Sequence, residues 1–319
     1  MRGIWLEDQI LSVRDNLQIP TPQTGEALIK MLRAGICSTD LELCRGYYPY
    51  KGVPGHEFVG EVVGAPGFPE WIGKRVVGDI NIACGRCENC LAGRPHHCSQ
   101  RKTLGIFDHN GCFSEYFLLP VKNLFQVPAS IPDEMAAFSE PLAAALEIQE
   151  QIQIHPEDRV LVIGAGRLGL LIAQTLALTG CQLEVIARKS RPQGILANCR
   201  ITFITENQLE PHYADIVVEA TGSPSGFNLA RQAVRPAGTI VLKSTYKGNI
   251  QLDLSSIVVD EIKLVGSRCG SHAAALRLME ANKVDPRPLI ESTFDLADGL
   301  PAFTLESQPG ILKILVRPN

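Results

Sequence analysis

An apolar run followed at once by three spaced glycines, Arg159-Val-Leu-Val-Ile-Gly164-Ala-Gly-Arg-Leu-Gly169, restricts the second half of this chain more than any other segment. Arg159 to Ile163 reads as a largely apolar strand, and Leu168 to Thr179 as a helix that ends at Gly180. Gly164 permits a tight turn, Gly166 lets the backbone approach a pyrophosphate, and Gly169 lets the helix pack closely on the strand. The first turn of the helix, at Arg167 and Leu168, offers unpaired N–H groups and a partial positive charge to phosphates. A glycine turn in a protein that binds no dinucleotide is the competing reading. The strand before and the helix after supply the context that the G-x-G-x-x-G fingerprint requires. Leu183 to Ala187, Asp215 to Glu219 and Gly238 to Leu242 are further apolar strands separated by helical text. Such alternation predicts a doubly wound parallel sheet covered on both faces, an α/β architecture.

Nineteen residues past Gly169, where an NAD-specific site carries Asp or Glu for the ribose 2′-OH, the chain reads Arg188-Lys189-Ser-Arg191. A guanidinium can bind a 2′-phosphate bidentately, whereas a carboxylate would repel it. The residues therefore predict NADP(H) over NAD(H), against the plainer reading of a solvated cationic loop.

Before residue 130 the text changes to short β runs punctuated by Gly and Pro, among them Ala27 to Arg33, Phe58 to Val63 and Lys74 to Val77. Within it Cys84, Cys87, Cys90 and Cys98 fall inside fifteen residues. Two residues between successive thiols let one tight loop aim several sulfurs at a single centre, as a closed tetrahedral zinc site requires. An iron–sulfur cluster is the nearest rival, but its motif places the fourth Cys three residues on and follows it with Pro. Here the gap is seven residues and Ser99 follows.

A length of 319 residues predicts two domains. The net charge of −4 lacks the basic footprint of a nucleic-acid partner, and no apolar stretch approaches a membrane span. The absence of a signal core and the scatter of the six remaining cysteines suit a reducing cytoplasm. Asp133 to Gln151 reads as a helix whose register is interrupted at Pro141, and the tail closes on a strand near residues 310–316.

Two further segments, Cys37-Ser-Thr39-Asp40 and Gly55-His56-Glu57, would be ordinary alone. With the four-cysteine loop, Glu140-Pro-Leu142 and the glycine loop, they occur in the order found in zinc-dependent medium-chain alcohol dehydrogenases, which include polyol and threonine dehydrogenases. The chain resembles that family over essentially its whole length. The resemblance implies a GroES-like β-rich catalytic domain (1–132), a Rossmann cofactor domain (133–289) and a tail returning to the first (290–319). It implies two zinc ions, one structural at the four cysteines and one catalytic. Cys37 and His56 would hold the catalytic ion with a carboxylate from Glu57 or Glu140, which exchange places in some relatives. Asp40 would orient His56 or, alternatively, cap a turn. Thr39 would relay the proton from the alcohol. Thr221, Ser267 and Arg268 match segments that touch the cofactor. The partners implied are a small alcohol or carbonyl substrate and copies of the same chain, as a dimer or tetramer.

The sequence also departs from the pattern. Glu42 stands where many relatives carry the outer relay His, and either replaces it, leaves the relay to water, or has no role. The stretch between Glu57 and Cys84 is short, so substrate class does not carry over. Tyr47, Tyr48 and Tyr50 either line the substrate entrance or pack beneath a loop. Two other readings keep part of the constellation: a zinc-independent NADPH reductase of the same fold, and a non-enzymatic NADPH-binding sensor.

Overall fold

The structure, a computed structural model, describes residues 1–187, 192–245 and 252–319. It comprises two compact units, Met1–Glu140 with His272–Asn319, and Pro141–Ser271. Residues 133–140 and 272–289, expected with the cofactor domain, therefore pack with the first unit.

The first unit begins with a hairpin, β1 (Gly3–Glu7) and β2 (Ile10–Arg14). Asp8 and Gln9 turn it with φ of 50° and 65°, the paired positive values that match strand twist in a two-residue hairpin loop. In β3 (Glu26–Gly35), Ala27, Ile29 and Met31 are buried while Lys30 is exposed, the alternation of a strand with one core face. After it come α1 (Ser38–Cys44), β4 (Glu57–Gly64), β5 (Arg75–Gly78), β6 (Asn81–Ile82), α2 (Glu88–Leu91), β7 (Lys102–Thr103), β8 (Tyr116–Pro120) and β9 (Leu124–Gln126). The four-cysteine loop projects from the antiparallel β6–β7 ribbon.

The single helix expected over residues 133–151 is two, α3 (Asp133–Ala136) and α4 (Ser139–Gln151). The break lies at Ala137 and Phe138 and not at Pro141. Pro141 sits in the first turn of α4, where its missing N–H breaks no intrahelical bond.

The second unit is a six-stranded parallel sheet. It uses β10 (Arg159–Ile163), β11 (Gln182–Ile186), β12 (Thr202–Ile204), β13 (Ala214–Glu219), β14 (Val234–Leu242) and β15 (Lys263–Gly266). Their spatial order β12-β11-β10-β13-β14-β15 reverses between β10 and β13, the switch point at which such sheets bind dinucleotides. Helices α5 (Arg167–Ala177), α6 (Gln193–Asn198), α7 (Pro224–Ala233) and α8 (Leu254–Val259) connect the strands. In α5, Leu170, Leu171, Ile172, Ala173 and Leu176 are fully buried.

The chain then rejoins the first unit through α9 (His272–Glu280), β16 (Ile290–Asp295), α10 (Gly299–Glu306) and β17 (Lys313–Arg317). β17 lies between β16 and β3 in a seven-stranded sheet. Its core includes edge-on pairs Phe58–Phe117 and Phe113–Phe303, with ring centroids 4.7 and 5.6 Å apart.

Candidate active site and metal centres

β3 and β4 pair so that Gly35 faces Glu57, bringing the residues after β3 beside the first residue of β4. Cys37 caps the short helix α1, and His56 immediately precedes β4. Donor atoms of Cys37, His56 and Glu57 lie within 4.8 Å of one another. His56 and Glu57 are only 3% and 2% exposed, so a charged centre here would be shielded from water. Glu140, the other carboxylate singled out by the sequence, is not a member of this group.

Asp40 closes the turn after Cys37 and faces the His56 ring. It is fully buried, and its Oδ2 accepts the Cys37 backbone N–H at 2.9 Å, closing the first turn of α1. Its Oδ1 accepts the Gly55 N–H at 3.2 Å and faces His56 Nδ1 at 3.4 Å. That nitrogen is buried and makes no aligned hydrogen bond. Burial opposes charge on the ring, but the Asp40 carboxylate and Cys37 sulfur outweigh it and hold the His56 pKa well above its usual value. With Nδ1 turned to Asp40, Nε2 is left for a metal, the arrangement by which a carboxylate orients a ligand histidine. A half-buried cysteine sulfur, a buried imidazole and a buried carboxylate form a donor set suited to a three-ligand zinc site with a vacancy.

The loop holding His56 is built from close glycine packing. Gly55 has φ of +97°, and a Cβ on it would stand 2.6 Å from the Phe113 ring. Thr39 Oγ1 lies 3.7 Å from Cys37 Sγ. Glu42 pairs with Arg45, the residue that ends its own helix, Oε1 to guanidinium 2.5 Å. Tyr50 is an anchor, its single O–H shared between the carbonyls of Val53 at 2.6 Å and His109 at 3.0 Å. Tyr47 and Tyr48 pack edge to face.

Cys84, Cys87, Cys90 and Cys98 also converge within 4.8 Å, with no disulfide among them. The Cys87–Cys90 and Cys87–Cys98 sulfur separations are 3.5 and 3.8 Å. Four thiolates about 2.3 Å from a tetrahedral zinc are about 3.8 Å apart, so the cluster already has the size of the ion's shell. Backbone N–H groups of Cys90 and Ser99 bring the Cys87 pKa down to about 5. The N–H groups of Arg86 and Cys87 likewise lower Cys84, while desolvation and the Cys87 sulfur raise Cys90 to about 11. Residues 84–98 thus offer the four sulfurs and the spacing of a closed metal knuckle.

In the second unit the glycine loop follows β10 directly. Gly164 has φ of +106°, and a Cβ there would meet the Ala220 carbonyl at 2.9 Å. A Cβ on Gly169 would lie 1.8 Å from the Gly164 oxygen, whereas one on Gly166 would meet nothing within 4 Å. Gly164 and Gly169 are therefore fixed by packing, and Gly166 leaves open space at the N-terminus of α5. No side chain caps that helix, and Arg167 and Leu168 in its first turn are half-buried. Thr221, exposed at the neighbouring end of β13, donates its hydroxyl to Glu219 at 2.5 Å. Ser267 and Arg268 are held by a buried lysine that sequence reasoning missed. Lys243 Nζ donates to Ser267 Oγ and the Arg268 carbonyl, each at 3.1 Å, and to the Ala144 carbonyl at 2.6 Å. Arg188, Lys189 and Arg191 lie outside the described residues.

Comparison with known proteins agrees with this geometry. The alcohol dehydrogenase GroES-like domain matches residues 23–129, and the zinc-binding dehydrogenase domain matches residues 201–281. L-threonine 3-dehydrogenase of Vibrio vulnificus CMCP6 is 31% identical, over 83% of this chain and 80% of its own. A Sinorhizobium meliloti 1021 structure described as a zinc-binding dehydrogenase bound to NADP superposes with a TM-score of 0.92 at 28% identity, covering 99% of both chains. The alcohol dehydrogenase rspB of Escherichia coli CFT073, complexed with NADH, gives 0.90 at 29% identity, again over 99% of both. A β-rich domain with two clusters able to hold a metal, joined to a sheet with a dinucleotide loop, is the build of an oxidoreductase acting on CH–OH groups. The chain belongs to the zinc-dependent medium-chain alcohol dehydrogenase family.

Proposed function

We propose that this chain is an NADP-preferring, zinc-dependent dehydrogenase of secondary alcohols or polyols, able also to reduce the matching ketone or aldehyde. The convergence of Cys37, His56 and Glu57 within 4.8 Å carries this reading. Bound there, zinc would supply the Lewis acidity that lets an alcohol hydroxyl lose its proton near neutral pH. We assign Glu57 to the ligand set, with Glu140 as its exchange partner, because Glu57 is the carboxylate within the cluster. Asp40 holds the His56 ring, and Thr39, beside Cys37, passes the substrate proton outward. Since Arg45 occupies the Glu42 carboxylate, water takes the proton onward. The open space over Gly166 and the uncapped start of α5 receive the pyrophosphate. Thr221, Ser267 and Arg268 contact the remainder of the cofactor.

The second zinc, at Cys84, Cys87, Cys90 and Cys98, is structural. Arg188, Lys189 and Arg191 support NADP through their charge in the sequence, and the Sinorhizobium relative binds NADP. Free cysteines throughout fit a reducing cytoplasm, and among the described residues no helix is long and apolar enough to cross a membrane. Homo-oligomerisation is supported by α8, whose Leu254, Val258 and Val259 are 64%, 74% and 79% exposed close to the edge strand β15.

The test is an NADP+-coupled screen of secondary alcohols, polyols and sugar derivatives on zinc-loaded protein. Turnover with a higher kcat/KM for NADP+ than for NAD+ is expected. A higher value with NAD+ defeats the cofactor assignment, and undiminished turnover after metal removal defeats the zinc assignment.

A further inference from the structure

A buried ion pair borders the Cys37–His56–Glu57 cluster and has no part in the function proposed so far. Lys313 on β17 and Glu57 on β4 are each 2% exposed, and Lys313 Nζ lies 2.5 Å from Glu57 Oε2. They are 256 residues apart in sequence. β3 brings them together, because Gly35 pairs with Glu57 on one side and with Leu315 of β17 on the other. The ammonium also donates to the Ile36 carbonyl at 3.0 Å and lies 5.8 Å from the centroid of the Phe138 ring.

Gly35 completes the arrangement. A Cβ at that position would stand 2.5 Å from Glu57 Oε2 and 3.4 Å from Lys313 Cδ. The missing side chain therefore forms a slot in which the carboxylate lies against the ammonium. A buried pair of this kind is costly to break on one side only, since the remaining charge loses its compensation. The same pairing withdraws one carboxylate oxygen from a neighbouring metal, because a lone pair committed to an ammonium is a poorer ligand.

We propose that Lys313 is a positioning residue that holds Glu57 in the Gly35 slot, weakening it as a zinc ligand and keeping the metal site open to substrate. The proposal rests on the reading that Cys37 and His56 hold an exchangeable zinc. Glu57 is shared between ammonium and metal, so the site retains a labile position. Without the ammonium, Glu57 belongs to the metal alone, and the zinc is held more tightly in a more closed shell.

The experiment uses full-length wild-type, Lys313→Met, Lys313→Arg and Gly35→Ala proteins. It measures the affinity of the exchangeable zinc by competition with a chromogenic chelator, and thermal unfolding with and without zinc. Lys313→Met should bind that zinc about tenfold or more tightly, the scale of one charge-assisted hydrogen bond. Its zinc-free form should unfold at a lower temperature, and Lys313→Arg should behave as wild type. The one contact under 3 Å that Gly35→Ala would make is with the flexible end of Glu57, so it expels the carboxylate while leaving both charges in place. It should also raise zinc affinity, and it keeps the question answerable should Lys313→Met fail to fold. Unchanged or weaker zinc binding in both variants, with equal loss of stability in zinc-free and zinc-loaded forms, makes Lys313 purely structural and overturns the proposal. Absence from the wild type of an exchangeable zinc removable by Cys37→Ala defeats the underlying zinc reading, and this inference with it.

Discussion

Asp40→Asn is the substitution whose cost can be worked most fully from the structure. The change is isosteric, but it replaces two accepting oxygens with one oxygen and an NH2 group. Asp40 currently accepts from Cys37 N–H and Gly55 N–H through different oxygens, and the second of these also faces His56 Nδ1. Whichever way the amide turns, its NH2 must confront a backbone N–H that has lost its acceptor. Because Asp40 is fully buried, water cannot substitute. One orphaned buried donor costs about 1–3 kcal/mol, which urea unfolding of the zinc-free protein would register. If the amide keeps the cap on α1, His56 loses its orienting carboxylate, and zinc affinity at that site should fall about 10- to 100-fold. Metal analysis after mild chelator treatment should then show the four-cysteine zinc retained and the other lost. Unchanged stability together with full retention of both ions would refute this account of Asp40.

In the cofactor loop, Gly169→Ala forces a Cβ to 1.8 Å from a backbone oxygen, and should cost at least about 1–3 kcal/mol in a thermal or urea melt. Gly166→Ala has open space and should melt as wild type while raising the KM for NADP+, so equal stability losses would contradict the division drawn between them. Burial lowers the His272 pKa from 6.5 to about 4. The unfolded chain therefore binds the extra proton first, and this group's contribution to stability falls as pH drops from 6.5 towards about 4. The loss is at most about 3 kcal/mol. His272→Gln should flatten that part of the stability–pH curve, and an unaltered curve would disprove the assignment. Cys90→Ala should lower thermal stability or assembly first, so a stable, assembled variant with only kcat reduced would show that the four-cysteine site is not a staple.

Local motifs were legible in the sequence because their chemistry depends on neighbours along the chain. Four thiols in one loop and three glycines between a strand and a helix need no distant partner to be recognised. Cys37 and His56 became readable through the order of several motifs, and β3–β4 pairing then explains their proximity. The Lys313–Glu57 pair was not legible, since the sheet that joins them is closed by the last strand of the chain. Lys243 was hidden for the same reason, lying on β14's extension while its partners follow β15 and sit in α4. Local propensity also misplaced the break between α3 and α4. Proline disrupts a helix interior but fits its first turn, and only the structure reveals which of these Pro141 occupies.

Zinc content per chain, compared between wild-type and Cys37→Ala proteins alongside NADP+-coupled alcohol oxidation, tests the central claim most directly. The account predicts about two zinc ions in the wild type and about one in the variant, which keeps its stability but loses turnover. A single zinc in the wild type, or a Cys37→Ala enzyme that retains activity, would contradict it.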